Sequence, residues 1–517
     1  MNMAIPRLIR AGWMLWAAIM AGDSRAAAAE QTVQMSPFEV SANSVEFQGW
    51  ERFSSPNFII YTDAKPREAE QVLRQMEMLH VMAQRYFRRE AIRRSPMIFV
   101  LPTARSDWRK IESKSGVQWR VAISDPAHTL ADLIVAHYDW QENLMLVFHE
   151  LGRAELRWLN LPEPLWFQRG VMAFFGAAAF DREKVSLGHI SVTAQNVVHQ
   201  GWLPWDALFR VTFQSPEYVK SDLIGRLNGH SMIFVQHLLT HPEPEWAERL
   251  LEWLAITEAG TMITEAEFIR IFGKGWKEWE KMLDGYLRTG RYRISSLSFP
   301  KDALGIVTTR VAPPVREMRE LFILVQILNQ VHAPESKQAL AGILARGLRA
   351  ESLRELLVEA CLARGHADLA LVELRRIIAA GTTSADVYAL AAALEFKAHV
   401  PDISLRSRLE SADAHAWSAK ALELEPRHRE ANRVAAWVGA LAPVVDSSNV
   451  ESIKHAYRRM AGEASTGEVV AALAVAMQRS GDDMTARLLA QKLVESPYSA
   501  REVRAIGSAL LAELKAP

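Results

Sequence analysis

The stretch VFHELGRAELRWLNLPEPLWFQRGVMAFFG, residues 147–176, decides how the first half of this chain is read. A helix is expected through His149 and Glu150. The segment LNLPEP, 159–164, ends it, because its two prolines cannot continue the hydrogen-bond ladder. A second helix, LWFQRGVMAFFG, is expected over 165–176. Arg153 stands one turn beyond His149, on nearly the same helical face.

That spacing has chemical meaning. Two histidines at i and i+4 lie one turn apart and can reach a single zinc ion, with a glutamate at i+1 beside the bound water as general base. A third ligand, often a glutamate from the next helix, leaves one position open for water. Here His149 and Glu150 fill the first two places and an arginine fills the third. A His-Glu pair alone is weak evidence, since about one is expected by chance in a chain with 15 histidines. The surrounding order of helix, turn and helix gives it weight.

Toward the N-terminus, SSPNFIIYTDA (54–64) reads as a strand and PREAEQVLRQMEMLHVMAQRYF (66–87) as an amphipathic helix, with Val72, Met76, Leu79, Met82 and Phe87 three to five residues apart. SPMIFVLP (95–102) is a second strand; GVQWRVAIS (116–124) and TLADLIVAHYD (129–139) are further strands. The order β-α-β-β-β gives way to helices from Trp140 onward, which marks an α+β domain with one small sheet. Toward the C-terminus, Thr264 and Glu267 form a capping-box pattern, Gly273 closes that short helix, and 276–294 is a helix with charged faces. The loose segment 295–315 ends in Pro313–Pro314 and is taken as a linker.

From 316 onward the pattern is helical and rich in alanine and leucine. Gly365 and Ala370 stand five apart, as do Gly481 and Ala486, and Ala414, Ala421 and Pro426 fall between them. These spacings resemble tetratricopeptide repeats, in which small residues sit where the two helices of a pair touch. Ala370 to Ala414 is 44 residues, so an insertion is expected near LEFKAHVPDISLRSRLES; Ala414 to Ala486 is 72, near two periods of about 34. Four or five helix pairs follow from this, with a generic helical bundle as the other reading.

The first half carries a second resemblance. Pro164, Trp166, Phe167, Gly170, Ala173, Phe174 and Phe175 fit the segment P-x-W-L-x-E-G-x-A-E-Y-F that follows the metal helix of gluzincin peptidases. The opening strand and helix, and the segment EFIRIFGKGWKEWEKMLDGYLRTGRYR, look like the two ends of a bacterial domain of unknown function with peptidase-MA-like character. Members of that family often carry tetratricopeptide repeats behind it. The resemblance implies a gluzincin-like α+β domain over 49–294 and an all-α repeat region over 316–517.

Its departures bear on chemistry. The family's second histidine is Arg153, its third ligand is Arg169, and its later acid is Phe174. Arginine stays charged at any ordinary pH and cannot ligate a cation. The resemblance therefore implies a vestigial site, His149 and Glu150, with no zinc and no catalysis. Arg153 is placed to pair with Glu150, and Arg169 to bring a second guanidinium from the next helix; the other reading is that both face solvent. Trp166 and Phe174 are expected at the cleft. A rival reading keeps an active zinc peptidase with unconventional ligands: His149, Glu150 as base, and one of His230, His237 and His241, of which the last two have the spacing of a metal pair. His189 and His199 are weaker candidates. Trp158, Trp166, Trp202 and Trp205 read as core or cleft wall.

The bulk numbers set limits. At 517 residues the chain holds roughly two to four domains. Lys plus Arg, 60, equals Asp plus Glu, 60, which argues against a nucleic-acid binder. MNMAIPRLIR, an apolar run of 12 residues and SRAAAAEQ read as a secretory signal over 1–29, cut near Ala29–Glu30, with a mobile lead-in over 30–48. No later segment nears the roughly 20 apolar residues a membrane helix needs, so no transmembrane span is expected after cleavage. An exported protein, periplasmic or secreted, follows. The single cysteine, Cys361, excludes a disulfide within the chain and reads as packing. No nucleophile elbow or phosphate-binding glycine loop occurs. The leading functional expectation is noncatalytic binding of protein or peptide segments on the concave face of the repeats.

Overall fold

The computed structural model describes residues 47–89, 91, 95–103, 121–123, 130, 133–136, 144–159, 161, 164–181, 183–195, 197–213, 215–243, 245–258, 263–299, 308–329, 336–348, 350–400, 403–404, 407–409, 411–460, 466–495 and 501–514. The expected signal peptide and nearly all of the lead-in lie outside them.

Strands β1 (Glu51–Ser54) and β2 (Phe58–Thr62) precede the long helix α1 (Pro66–Phe87), and β3 (Met97–Leu101), β4 (Val121–Ile123) and β5 (Leu133–Val135) follow it. Next come α2 (Leu144–Trp158), α3 (Leu165–Gly176) and the hairpin β6 (Ala179–Asp181) and β7 (Lys184–Leu187). A helical stretch runs through α4 (Val192–Gln195), α5 (Val197–Gln200), α6 (Trp205–Arg210), α7 (Pro216–Val219), α8 (Ser221–Leu239), α9 (Glu245–Glu258), α10 (Glu265–Phe272) and α11 (Trp276–Thr289). β8 (Ser295–Ser298) and β9 (Thr309–Val311) then lead into α12 (Val315–Asn329), α13 (Ser336–Arg346), α14 (Ser352–Ala363), α15 (Ala367–Ala379), α16 (Ala385–His399), α17 (Ala412–Leu424), α18 (Arg429–Ala440), α19 (Ser447–Arg459), α20 (Thr466–Arg479), α21 (Asp483–Glu495) and α22 (Arg501–Glu513). The chain is mostly helical, with one small mixed sheet and a second, smaller one.

The larger sheet has the order β4-β5-β3-β2-β1-β9. β2, β3 and β5 run parallel, whereas β4, β1 and β9 pair antiparallel with their neighbours. Its central strands are buried on both faces, as parallel strands usually are. Because side chains alternate, one sequence feeds two cores. Phe58, Ile60, Phe99, Leu101 and Ile134 point toward α1, α2 and α3. Ile59, Tyr61, Ile98, Val100, Leu133 and Val135 point the other way, onto Met318, Leu321 and Val325 of α12 and Leu353, Leu356 and Leu357 of α14. A buried carboxylate fixes that second layer: Glu317 accepts from Tyr61 Oη at 2.7 Å and from Arg52 Nη1 at 2.8 Å. Burial and this carboxylate push the Tyr61 phenol upward, so it stays a donor.

Residues 295–315 are therefore more than the expected linker. β8 adds to the small sheet beside β7, and β9 adds to the large sheet beside β1. Neither announces itself in sequence, since SSLS is nearly all polar and the three residues of β9 are all exposed. β1 and the β6–β7 hairpin were likewise not foreseen, and the capping box forms only in half. Thr264 Oγ1 accepts from Glu267 N at 3.3 Å, while the Glu267 carboxylate takes Arg270 Nε at 2.8 Å.

Beyond α12 each helix packs on the next, and α16, α18, α20 and α22 also touch one another in that order. Ala370, Ala414, Ala421 and Ala486 are fully buried at the helix contacts. Gly365 and Gly481 take φ of 73° and 88° in the turns, a region costly for residues with a Cβ. α16 ends at His399 and α17 begins at Ala412, within the stretch where the insertion is expected. Three arginines reach carbonyls near helix ends: Arg364 donates to Ile327 O, Arg479 to Ala440 O, and Arg376 to Leu344 O, which also accepts from Gly347 N. Cys361 is fully buried in α14, and burial pushes its thiol up to about 12. Among the described residues no helix is long and apolar enough to cross a membrane.

Candidate functional site

α2 and α3 touch over glycines, which brings their backbones close. A Cβ on Gly152 would stand 3.0 Å from Phe175 Cβ, and one on Gly176 would stand 3.2 Å from His149 Cβ. On its other side α3 meets α8, where a Cβ on Gly170 would lie 2.6 Å from both Ser231 O and Val235 Cγ2. Gly170 is thus the contact that seats α3 between two helices.

On α2 the side chains of His149, Glu150 and Arg153 meet. Arg153 Nη2 lies 3.3 Å from Glu150 Oε2, across one helical turn. His149 Nδ1 stands 3.5 Å from Glu150 Oε1 without hydrogen bonding to it. The Glu150 side chain is 7 % exposed and that of Arg153 20 %, so the pair is largely withdrawn from water, where an ion pair is screened least. Arg169 is half-buried on α3 and has a different partner. Its Nη2 donates to Tyr218 Oη at 2.7 Å, and its Cζ lies 4.9 Å from the Tyr218 ring centroid. Of the two arginines, Arg153 pairs with Glu150 as expected, whereas Arg169 is held by a tyrosine and no hydrogen bond or ion pair joins it to His149 or Glu150.

The histidines of α8 lie on another side. Ser231 and Val235 face Gly170, while His230 and His237, seven residues apart, share a line about 100–140° round the helix. His230 is fully buried between Trp202 and Trp205, at 4.7 and 4.5 Å between ring centroids. Burial, helped by Arg226, holds it down to about 3. His237 packs against Trp279 and Tyr286, and burial with Arg293, His241 and Lys274 lowers it to about 3. The rings of His237 and His241 are 5.7 Å apart, and Glu243 N donates to His241 Nδ1. Among the described residues, no group of three or more His, Cys, Asp or Glu side chains is placed to hold a metal ion. His189 is half-buried, and the side chain of His199 lies outside the described residues.

Trp166 and Phe174 are fully buried in the core. Trp166 sits edge-on to Phe209 at 5.2 Å, and Phe174 edge-on to Tyr86 at 5.6 Å. Trp158 stacks on Phe58 at 5.6 Å. These rings build the core on which α2 and α3 lie.

One polar pair in this region was not foreseen. His80 of α1 places Nδ1 3.0 Å from both carboxylate oxygens of Glu155 on α2, with the Gln84 amide 2.8 Å from its other nitrogen. Burial opposes the charged ring, but the Glu155 charge and hydrogen bond outweigh it and raise the imidazole above its ordinary value. The signal was legible: Glu155 falls on the apolar stripe of Leu151 and Trp158, and His80 on that of Met76 and Phe87. Tyr218 gave no such signal.

Comparison with known proteins adds no relative. A scan against protein-family models, a search of curated proteins and a search of solved structures each found no match.

Proposed function

We propose that this chain is an exported, noncatalytic protein-binding molecule of the cell envelope. On this reading, a gluzincin-like body has exchanged its metal for fixed charge, and a tetratricopeptide-like solenoid presents a concave face to protein or peptide segments. The observation that carries it is the Glu150–Arg153 ion pair at 3.3 Å. It stands where a zinc peptidase would hold its general base and second ligand, and a guanidinium there repels a divalent cation. The fully buried Ala370, Ala414, Ala421 and Ala486 at helix contacts support the repeat reading.

The rival reading, an active zinc peptidase drawing a ligand from His230, His237 or His241, would require the histidine line of α8 to leave its aromatic packing. Incubation of the purified chain with an unfolded protein substrate and added zinc separates the two. No cleavage above the chain-free control is expected; cleavage abolished by a chelator and by Glu150→Gln would establish the peptidase.

A further inference from the structure

Arg169 has no carboxylate partner among the described residues. Among the described residues its only polar partner is the Tyr218 hydroxyl, and its Nε is buried without a hydrogen bond. A half-buried guanidinium has lost part of its hydration and keeps donors in a fixed fork that matches a carboxylate. Tyr218 holds that fork by hydrogen bond and by its ring face, so little orientation is lost when an anion arrives. The surroundings are apolar and open. Phe213 packs edge-on to Tyr218 at 5.2 Å yet is 53 % exposed, and Val219 is 49 % exposed. A half-buried guanidinium with no carboxylate partner among the described residues, beside an exposed aromatic ring, offers a ligand one charged and one apolar contact.

We propose that Arg169, Tyr218 and Phe213 form a docking point for an acidic protein segment. One partner carboxylate lies on the Arg169 fork, and a neighbouring apolar side chain of the partner covers Phe213 and Val219. Charge complementarity selects the occupant: the site offers one unneutralised cation and apolar contact, which a segment mixing acidic and aliphatic residues satisfies. The inference rests on reading the chain as a binding molecule, and it gives that reading a partner chemistry and a second surface besides the repeats.

The test uses the full chain and two labelled, end-capped peptides, one alternating aspartate with leucine and the other asparagine with leucine. Fluorescence anisotropy at low salt is expected to show the aspartate peptide binding about tenfold more tightly, the scale of a charge-assisted hydrogen bond. Arg169→Gln should erase that preference, and Arg169→Lys, which keeps the charge without the fork, should reduce it. Equal affinity for the two peptides, or a preference that survives in Arg169→Gln, overturns the proposal. Loss of the aspartate peptide to vesicles of phosphatidylglycerol, without loss of vesicle binding in Arg169→Gln, overturns it as well. Should Arg169→Gln melt early, the wild-type peptide pair and Arg169→Lys still decide the matter. Zinc content measured on the same sample separates the failures: a metal-free chain indifferent to aspartate sinks only this inference, and a zinc-bearing chain sinks the reading beneath it.

Discussion

Glu150, at 7 % exposure, needs a compensating charge wherever it sits. In a zinc site the ion supplies it; here Arg153 does, from one turn away. This pairing was legible because a three-residue helical offset fixes which side chains meet. The role of Arg169 was half legible: its position on α3 was evident, but Tyr218 lies 49 residues on, in a four-residue helix with no distinguishing pattern. The His80–Glu155 pair carries a prediction at the same scale. Its imidazole is raised above the ordinary value of 6.5, so the folded chain holds that proton more firmly than the unfolded one. The pair's contribution is fully present below about pH 6.5 and is lost as pH rises through the higher, folded value. Glu77, 4 % exposed and bonded to Asn57, adds to the raising field. Melting temperature followed from mildly acidic to mildly alkaline pH should therefore fall more in the wild type than in His80→Gln. Parallel curves would mean that the ring is neutral throughout.

Elements were read well where periodicity or a proline fixed them. The helix expected over 66–87 forms over those residues, with Pro66 at its first turn. The short strands β1, β8 and β9 were missed because three or four residues, mostly exposed or half-exposed, carry no alternation strong enough to see. Packing between elements was also hidden, and glycines show why. Gly170 is buried against a backbone carbonyl of α8, whereas Gly285, inside α11, has nothing within 4 Å of its absent Cβ. Gly170→Ala should lose about 1–3 kcal/mol, since helices must separate to admit a methyl group. Gly285→Ala should gain about 0.5–1 kcal/mol from helix propensity. Urea unfolding of both variants checks the pair of signs. A neutral Gly170→Ala would mean that α3 and α8 are not tightly seated.

At the scale of the molecule, the boundary drawn in sequence near Pro313–Pro314 runs through a shared core. The sheet face of Ile59, Tyr61, Ile98 and Val100 is covered by α12 and α14, and Glu317 completes a buried cluster with Arg52 and Tyr61. Sequence could not show this, because the strands are apolar on both sides and nothing in them says which helices supply the second layer. A chain truncated after residue 315 should consequently expose an apolar sheet face and leave Arg52 and Tyr61 without their carboxylate. It is expected to aggregate or to bind a hydrophobic dye strongly; a soluble monomer with a cooperative melt would show that the first half folds alone.

The central claim is that fixed positive charge stands where a divalent cation would otherwise bind, and zinc content tests it most directly. The purified full chain, dialysed against micromolar zinc and then buffer, should retain no stoichiometric metal by elemental analysis. The double substitution Arg153→His with Arg169→Glu, which restores the two ligands the resemblance implies, should on this reading retain close to one zinc per chain. A wild-type chain that keeps one tightly bound zinc through the same dialysis would contradict the account.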